Sequence, residues 1–260
     1  MTVLETPAEI LKFRRRAFLA YDWDSIQSQK GLFSHGDTLM ELAPEHLNQS
    51  YCQHLIDKYQ RVIFYGDAPD RKKIRSYLTG ADYFISSKFT LIEGNRHKII
   101  PLCQQVQLRD HLPVDLQLME LSGPDQLDSA ERLEHVQGAC GLDPLPAAFM
   151  ADSNLSRTVY LASPSGDIAC VSTVASLSNA KGEWASSAMV LRTSVLPDYR
   201  RLGLGTYIKA KAILAAHKAF QADRYVGIVG GNNVASFKIN SAVGLSINPA
   251  GGFLGVENRQ

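Results

Sequence analysis

The stretch Val195-Leu196-Pro197-Asp198-Tyr199-Arg200-Arg201-Leu202-Gly203-Leu204-Gly205-Thr206 concentrates residue types that hold anions. A strand pattern, Ala188 to Leu196, stops at Pro197. Two arginines follow, then two glycines one residue apart, then a helical pattern that puts Leu204, Ile208, Ala212, Ala215 and Ala219 on one face. Glycines at 203 and 205 permit a tight turn and bring a ligand close to bare backbone. The first N–H groups of a helix have no intrahelical partner and lie at the positive end of its dipole. With Arg200 and Arg201 beside them, a diphosphate is the natural occupant. No Gly-Lys-Ser/Thr run follows, so this is not a nucleoside-triphosphate P-loop. It also lacks the first glycine and the early position of a dinucleotide fingerprint.

A second stretch follows the strand pattern Tyr225 to Val229. It reads Gly230-Gly231-Asn232-Asn233-Val234-Ala235-Ser236-Phe237-Lys238-Ile239-Asn240-Ser241-Ala242-Val243-Gly244-Leu245. Together the two stretches carry a resemblance. The pattern Val-x-Pro-x-Tyr-Arg-x-x-Gly-x-Gly before a helix resembles motif A of the GCN5-related N-acetyltransferase (GNAT) superfamily. Its core, Arg/Gln-x-x-Gly-x-Gly/Ala, is Arg200 to Gly205 in this sequence. The later stretch is similar to motif B, Asn-x-x-Ala/Ser-x-x-x-Tyr-x-x-x-Gly-Phe. Aligned on Gly244, Asn233 and Ser236 fall on their positions, and Leu245 replaces the aromatic. Two motifs in the right order and at a plausible spacing are more specific than either alone. The resemblance covers roughly residues 113–260.

The resemblance implies acetyl-CoA or another acyl-CoA as donor, held in a V-shaped opening between the strand ending near Leu196 and the strand Tyr225 to Val229. Val195 and Leu196 would offer unpaired backbone groups to the peptide-like pantetheine arm. Arg200, Arg201, Leu202, Gly203, Leu204, Gly205 and Thr206 would wrap the diphosphate. The Asn233 amide would bond the pantetheine arm, with Ser236 beside it; Asn also favours a helix N-cap, and both roles can hold together.

Acyl transfer to an amine needs the amine neutral, a donor for the thioester oxygen and a proton for the leaving thiolate. Many relatives supply that proton from a tyrosine seven residues after the motif B asparagine. Here the position is Asn240, and an amide is not an acid; water, Ser236 or Ser241 would have to serve. For the base the candidates are Glu183, at the start of the long strand, Asp198, beside the loop and read first as a turn residue, and His135; none is singled out. His217, beside Lys211 and Lys218, reads as solvated. Direct attack by the amine needs no cysteine, and Cys170 reads as core. No metal is implied. The function expected is an N-acyltransferase moving an acetyl or other acyl group from acyl-CoA to a primary amine. The alternatives are a catalytically silent acyl-CoA-binding or sensing module, and an acyl-CoA enzyme of another reaction type.

These residues must be positioned by a domain of α+β class. From Val114 onward the patterns run strand, helix, three strands, helix, strand, helix, strand: a mostly antiparallel sheet with a late parallel crossover, flanked by helices. The strands expected are 114–121, 158–162, 168–176, 184–196, 224–229 and 253–256, and the helices 125–138, 206–221 and 234–243. A smaller mixed α/β N-terminal domain precedes it, with a border near His111-Leu112-Pro113: 1–112 accessory, or a degenerate GNAT-like half, and 113–260 the acyl-CoA-binding catalytic domain. In the first part the patterns predict helices Ala8 to Tyr21 and Asn48 to Tyr59 and a strand Arg61 to Tyr65. A hairpin is predicted from Tyr83 to Leu102, turning at Glu93-Gly94-Asn95-Arg96. Six of the 19 glycines precede residue 130, so the tight turns concentrate in the second part.

Composition bounds the partners. The 260 residues are 45% hydrophobic and 20% charged, a globular balance. Lysine and arginine total 27 against 26 acids, a net charge of +1 that disfavours nucleic acid as a partner. No apolar run reaches the roughly 18 residues of a membrane helix. The four cysteines have no CxxC spacing, and no secretory signal order is present, so the expected setting is cytoplasmic. The acceptor expected is a small-molecule or peptide amine, and a homodimer is allowed.

Overall fold

The structure is a computed structural model. It describes residues 25, 26, 29, 31–35, 38–42, 47–79, 83–109, 115–121, 123–177 and 184–258. The expected helix Ala8 to Tyr21, the border at 111–113 and Glu183 lie outside them.

The chain forms two compact units. The first comprises 1–91, 179–182 and 248–260, and the second comprises 92–178 and 183–247. Each is α+β. In the first, β1 (Leu32–His35) and β2 (Thr38–Glu41) form an antiparallel pair, and β2 runs parallel to β3 (Arg61–Gly66). The same unit holds helix α1 (Gln49–Tyr59), helix α2 (Ala68–Leu78) and most of β4 (Tyr83–Asn95). Its last strand is the end of β10 (Ser246–Asn258), antiparallel to β3 with Gly252 opposite Gly66 and Glu257 opposite Arg61. Asn48 caps α1, its Oδ1 accepting from Tyr51 N–H at 3.0 Å, and Asp67 caps α2 through Asp70 N–H at 2.8 Å. Leu55, Ile56, Val62, Phe64, Ile74 and Leu254 meet in one apolar core.

The second unit opens with helix α3 (Arg96–Arg109) where the second hairpin strand was expected. Asn95 Oδ1 accepts from Lys98 N–H at 3.0 Å, an N-cap bond that starts a helix. Ile99, Cys103 and Val106 recur at helical spacing and reach the core, which settles the period against a strand despite Pro101. Then come β5 (Gln117–Glu120), α4 (Leu127–Ala139), α5 (Ala147–Ala151), β6 (Ser156–Ala162), β7 (Ile168–Ser176) and β8 (Ser187–Val195). Helix α6 (Leu204–Phe220), β9 (Arg224–Gly230) and α7 (Val234–Ala242) complete the unit. Strands β5 to β8 are antiparallel neighbours, and β9 joins β8 in parallel through the α6 crossover. Of the expected elements, β10 is much longer than 253–256, while β1, β2, α2 and α5 are additional.

Helix α6 packs against β6, β7, β8 and α3. Its inner face carries Ile208, Ala212, Ile213 and Ala216, all fully buried, and the alanines let the helix lie close to the sheet. Each buried isoleucine contributes about 1.5–3 kcal/mol. This packing fixes the N-terminus of α6 beside the end of β8, where the site lies.

Candidate functional site

The site is built where β8 and β9 part company. Their parallel pairing runs from Ser187 opposite Arg224 to Val190 opposite Gly227 and stops there. Both strands continue, β8 to Val195 and β9 to Gly230. On the other side of β8 the β7–β8 register shifts between Val190 and Thr193, opposite Val174 and Ser172, directly beyond the last β8–β9 pair, which bends β8. The result is a V-shaped opening between two strands of one sheet, as the motifs imply.

Val195 and Leu196 differ in what they offer. Leu196 N–H donates to Ala169 O at 3.0 Å, so it serves the β7 side and is not available to a ligand. Alternation along the ladder then turns the backbone N–H of Val195 away from β7, into the opening. The Val195 carbonyl accepts from Arg200 Nε at 3.1 Å. Arg200 is thereby tied to the strand end, and its remaining N–H groups stay exposed for an anion.

The loop itself is bent. Arg201 and Gly203 have φ of 67° and 78°, both left-handed. Glycine tolerates this conformation, whereas an arginine held there is strained by about 1–3 kcal/mol. The turn is closed by Thr206 and Tyr207, whose N–H groups donate to Gly203 O at 3.1 and 3.2 Å. Leu202, Gly203, Leu204 and Gly205 make no backbone N–H bond among the described residues, leaving four consecutive donors at the positive end of α6. Arg200, Arg201, Leu202 and Gly203 are exposed around them. That concave row of donors with two arginines fits a diphosphate.

Gly205 and Leu204 serve differently from expectation. Gly205 is buried, and a Cβ there would lie 2.9 Å from Ile239 Cδ1. Its missing side chain lets α6 approach α7, while its N–H stays at the end of the donor row. Leu204 turns its side chain into the core and leaves only its N–H for a ligand.

Asn233 is the N-cap of α7: its Oδ1 accepts from Ser236 N–H at 3.0 Å, which leaves the exposed Nδ2 to donate elsewhere. Asn240 is buried. Its Nδ2 donates to Ser236 O at 2.9 Å and to Ser236 Oγ at 3.1 Å, and its Oδ1 accepts from Lys209 Nζ at 2.7 Å. Burial pushes Lys209 down to about 7. The side chain at the position of the usual tyrosine is therefore locked into the interior by three bonds. Lys209 was missed by sequence reasoning. The signal was its place four residues after Gly205, on the face of α6 that meets α7.

His217 is half-buried, and its Nδ1 lies 3.1 Å from Tyr225 Oη. Cys52, Cys103 and Cys170 are buried, and desolvation pushes each thiol up to about 12, as core cysteines rather than nucleophiles. Among the described residues, no cluster of His, Cys, Asp and Glu could hold a metal ion, and no helix is long and apolar enough to cross a membrane.

A mixed sheet whose parallel pair splays beside a glycine turn and helix N-terminus defines a class: the fold is that of the GCN5-related N-acetyltransferases. The solved structures that share it include a GCN5-related N-acetyltransferase from Kribbella flavida, at 11% identity and TM-score 0.59, with 94% of this chain and 96% of that one covered. A GCN5-related N-acetyltransferase from Sphaerobacter thermophilus matches at 10% identity and TM-score 0.53, over 87% of this chain and 75% of that one. A tandem GNAT protein from the clavulanic acid biosynthesis pathway matches at 12% identity and TM-score 0.55, over 84% and 74%. By sequence, the chain matches no family profile and no curated protein.

Proposed function

We propose that the chain is an acyl-CoA-dependent N-acyltransferase of the GNAT superfamily, moving an acetyl or other acyl group to a primary amine by direct attack. The observation that carries this reading is the parting of β8 and β9 after Val190 and Gly227, beside four partnerless N–H groups and Arg200. The diphosphate of coenzyme A fits the row from Leu202 to Gly205, and its amide-bearing arm fits the opening, with Val195 N–H and Asn233 Nδ2 as donors. The acyl-CoA supplies an activated thioester. The chain's own part is to orient it, to keep water from the opening and to offer N–H donors where the thioester oxygen gains charge. The acceptor is a small-molecule or peptide amine. The first unit is read as an accessory domain, the setting as cytoplasmic.

One observation favours a second reading, a module that binds acyl-CoA without turning it over. Asn240 is neutral, buried and already committed at both ends of its amide. Calorimetric titration with acetyl-CoA, followed by thiol release over a panel of amines, separates the two. Binding with amine-dependent release supports the transferase. Binding without release over the whole panel supports the sensor. Absence of binding overturns both.

A further inference from the structure

Lys209 lies one helical turn beyond Gly205 on the face of α6 that meets α7. The residue is 4% exposed, and Asn240 Oδ1, 2.7 Å from Nζ, is its hydrogen-bond partner among the described residues. An ammonium has three donors, so two are unmatched in an apolar interior. The groups that face it are neutral. From α3 comes Cys103, whose thiol is held protonated by burial. From α7 comes the Asn240 amide, whose Oδ1 accepts from Nζ. On α6 itself the residues one turn to either side of Lys209 are Gly205, Thr206, Ala212 and Ile213, none of them charged. The Cys103 thiol is the group that would raise Lys209 were it ionised, and no carboxylate does so. The amine is thus held where charge is disfavoured, and burial pushes it down to about 7.

Among the described residues no carboxylate acts on Lys209, so an anion seated at the N-terminus of α6 would bring the negative charge to it. Four residues of helix place the Lys209 backbone about 6 Å along the axis from that of Gly205, the last of the four free N–H groups. We propose that Lys209 is a proton-linked cation of the anion site: an anion bound at the N-terminus of α6 draws a proton onto Lys209, and the ammonium so formed tightens the hold on that anion. This rests on the reading of the site as the diphosphate cradle of an acyl-CoA. Two negative charges at about 10 Å, with an effective dielectric of roughly 20–40, raise an amine by about one to two pKa units.

The test is calorimetric titration of the whole chain with acetyl-CoA at pH 8 in two buffers of different ionisation enthalpy. At this pH the ligand's phosphates are fully ionised and its thioester has no thiol proton. The native chain should take up several tenths of a proton per site, and its affinity should fall about tenfold from pH 7 to pH 9. Lys209→Met should show neither effect. Should that variant not fold, Asn240→Asp serves: a carboxylate at this position keeps Lys209 charged, so binding persists without proton uptake. Binding by the native chain with no uptake, or equal uptake in Lys209→Met, overturns the linkage and leaves the site assignment standing. No binding of acetyl-CoA by the native chain overturns both.

Discussion

Lys209 Nζ and Asn240 Oδ1 stand 2.7 Å apart in the interior of the second unit, an amine donor and a neutral acceptor that join α6 to α7. The bond satisfies the amide but does not neutralise an ammonium. Lys209 binds fewer protons folded, with a value of about 7, than unfolded, near 10.5. Unfolding therefore takes up a proton between these values, and stability rises as pH climbs from about 7 toward 10. Below 7 the residue is charged in both states, and the folded chain carries the whole desolvation cost. Urea midpoints at pH 6.5, 8 and 9 should rise in the native chain relative to Lys209→Met.

Removing the acceptor alone should hurt. Asn240→Leu leaves buried Lys209 without its acceptor and should cost about 1–3 kcal/mol at pH 7. The double variant Lys209→Met, Asn240→Leu should recover that loss, with a coupling of about 1–3 kcal/mol in a double-mutant cycle read by denaturant unfolding. Strictly additive effects would show that the pair does not act as a unit.

Gly203 has open space around it, with nothing within 4 Å of an added Cβ, yet its φ of 78° is one that a β-branched residue avoids. Gly203→Val should unsettle the loop while the fold persists, since no core atom is displaced. Circular dichroism should match the native chain and acetyl-CoA binding should be lost. Unchanged affinity in a folded variant would dismiss the cradle.

Gly205 makes the opposite case. A Cβ there would sit 2.9 Å from Ile239 Cδ1, so Gly205→Ala should destabilise by about 1–3 kcal/mol through crowding. Ile239→Val deletes that Cδ1 and should restore most of the loss in the double variant, as seen in thermal unfolding. The rescue distinguishes helix packing from ligand contact, because a contact with the ligand would not depend on Ile239.

Arg200 holds Val195 O through Nε, the one guanidine nitrogen that lysine cannot imitate. Arg200→Lys keeps the charge and breaks the tie. Acetyl-CoA affinity should drop about tenfold or more in calorimetry, nearly as far as in Arg200→Met. A lysine variant with native affinity would mean that charge alone matters.

The elements legible in the sequence are those whose pattern and local chemistry agree. β7, β8, α6 and β9 carry apolar periods bounded by Pro197, the glycines and Gly230, and the anion cradle follows from residue types in one continuous stretch. Failures arose where tertiary context decides. Residues 97–102 read as a strand because Ile99, Ile100 and Leu102 are close-set, whereas the helix shows only when Cys103 and Val106 are added to the period. α2 was overlooked because Ile74 and Leu78 are its only buried side chains among many charges, although Asp67 and Pro69 mark its start. Neither Leu196's commitment to Ala169 nor the Lys209–Asn240 bond could be read from a linear string. Each depends on which way a backbone group or side chain faces after strands and helices are placed.

The pairing of β3 with residues 252–257 sets the order in which the protein can be completed as it is made. Val62 and Phe64 belong to a core that also needs Leu254, a residue that leaves the ribosome long after them. Throughout synthesis of the second unit, one edge of β3 waits with open hydrogen-bonding groups and uncovered apolar side chains. The second unit's own strands and helices, by contrast, are nearly all present before that last strand appears. Co-translational folding should therefore proceed out of sequence, with the later unit closing first and the earlier one finished by the final strand. A chain stalled before residue 252 would present that open edge to chaperones and proteases.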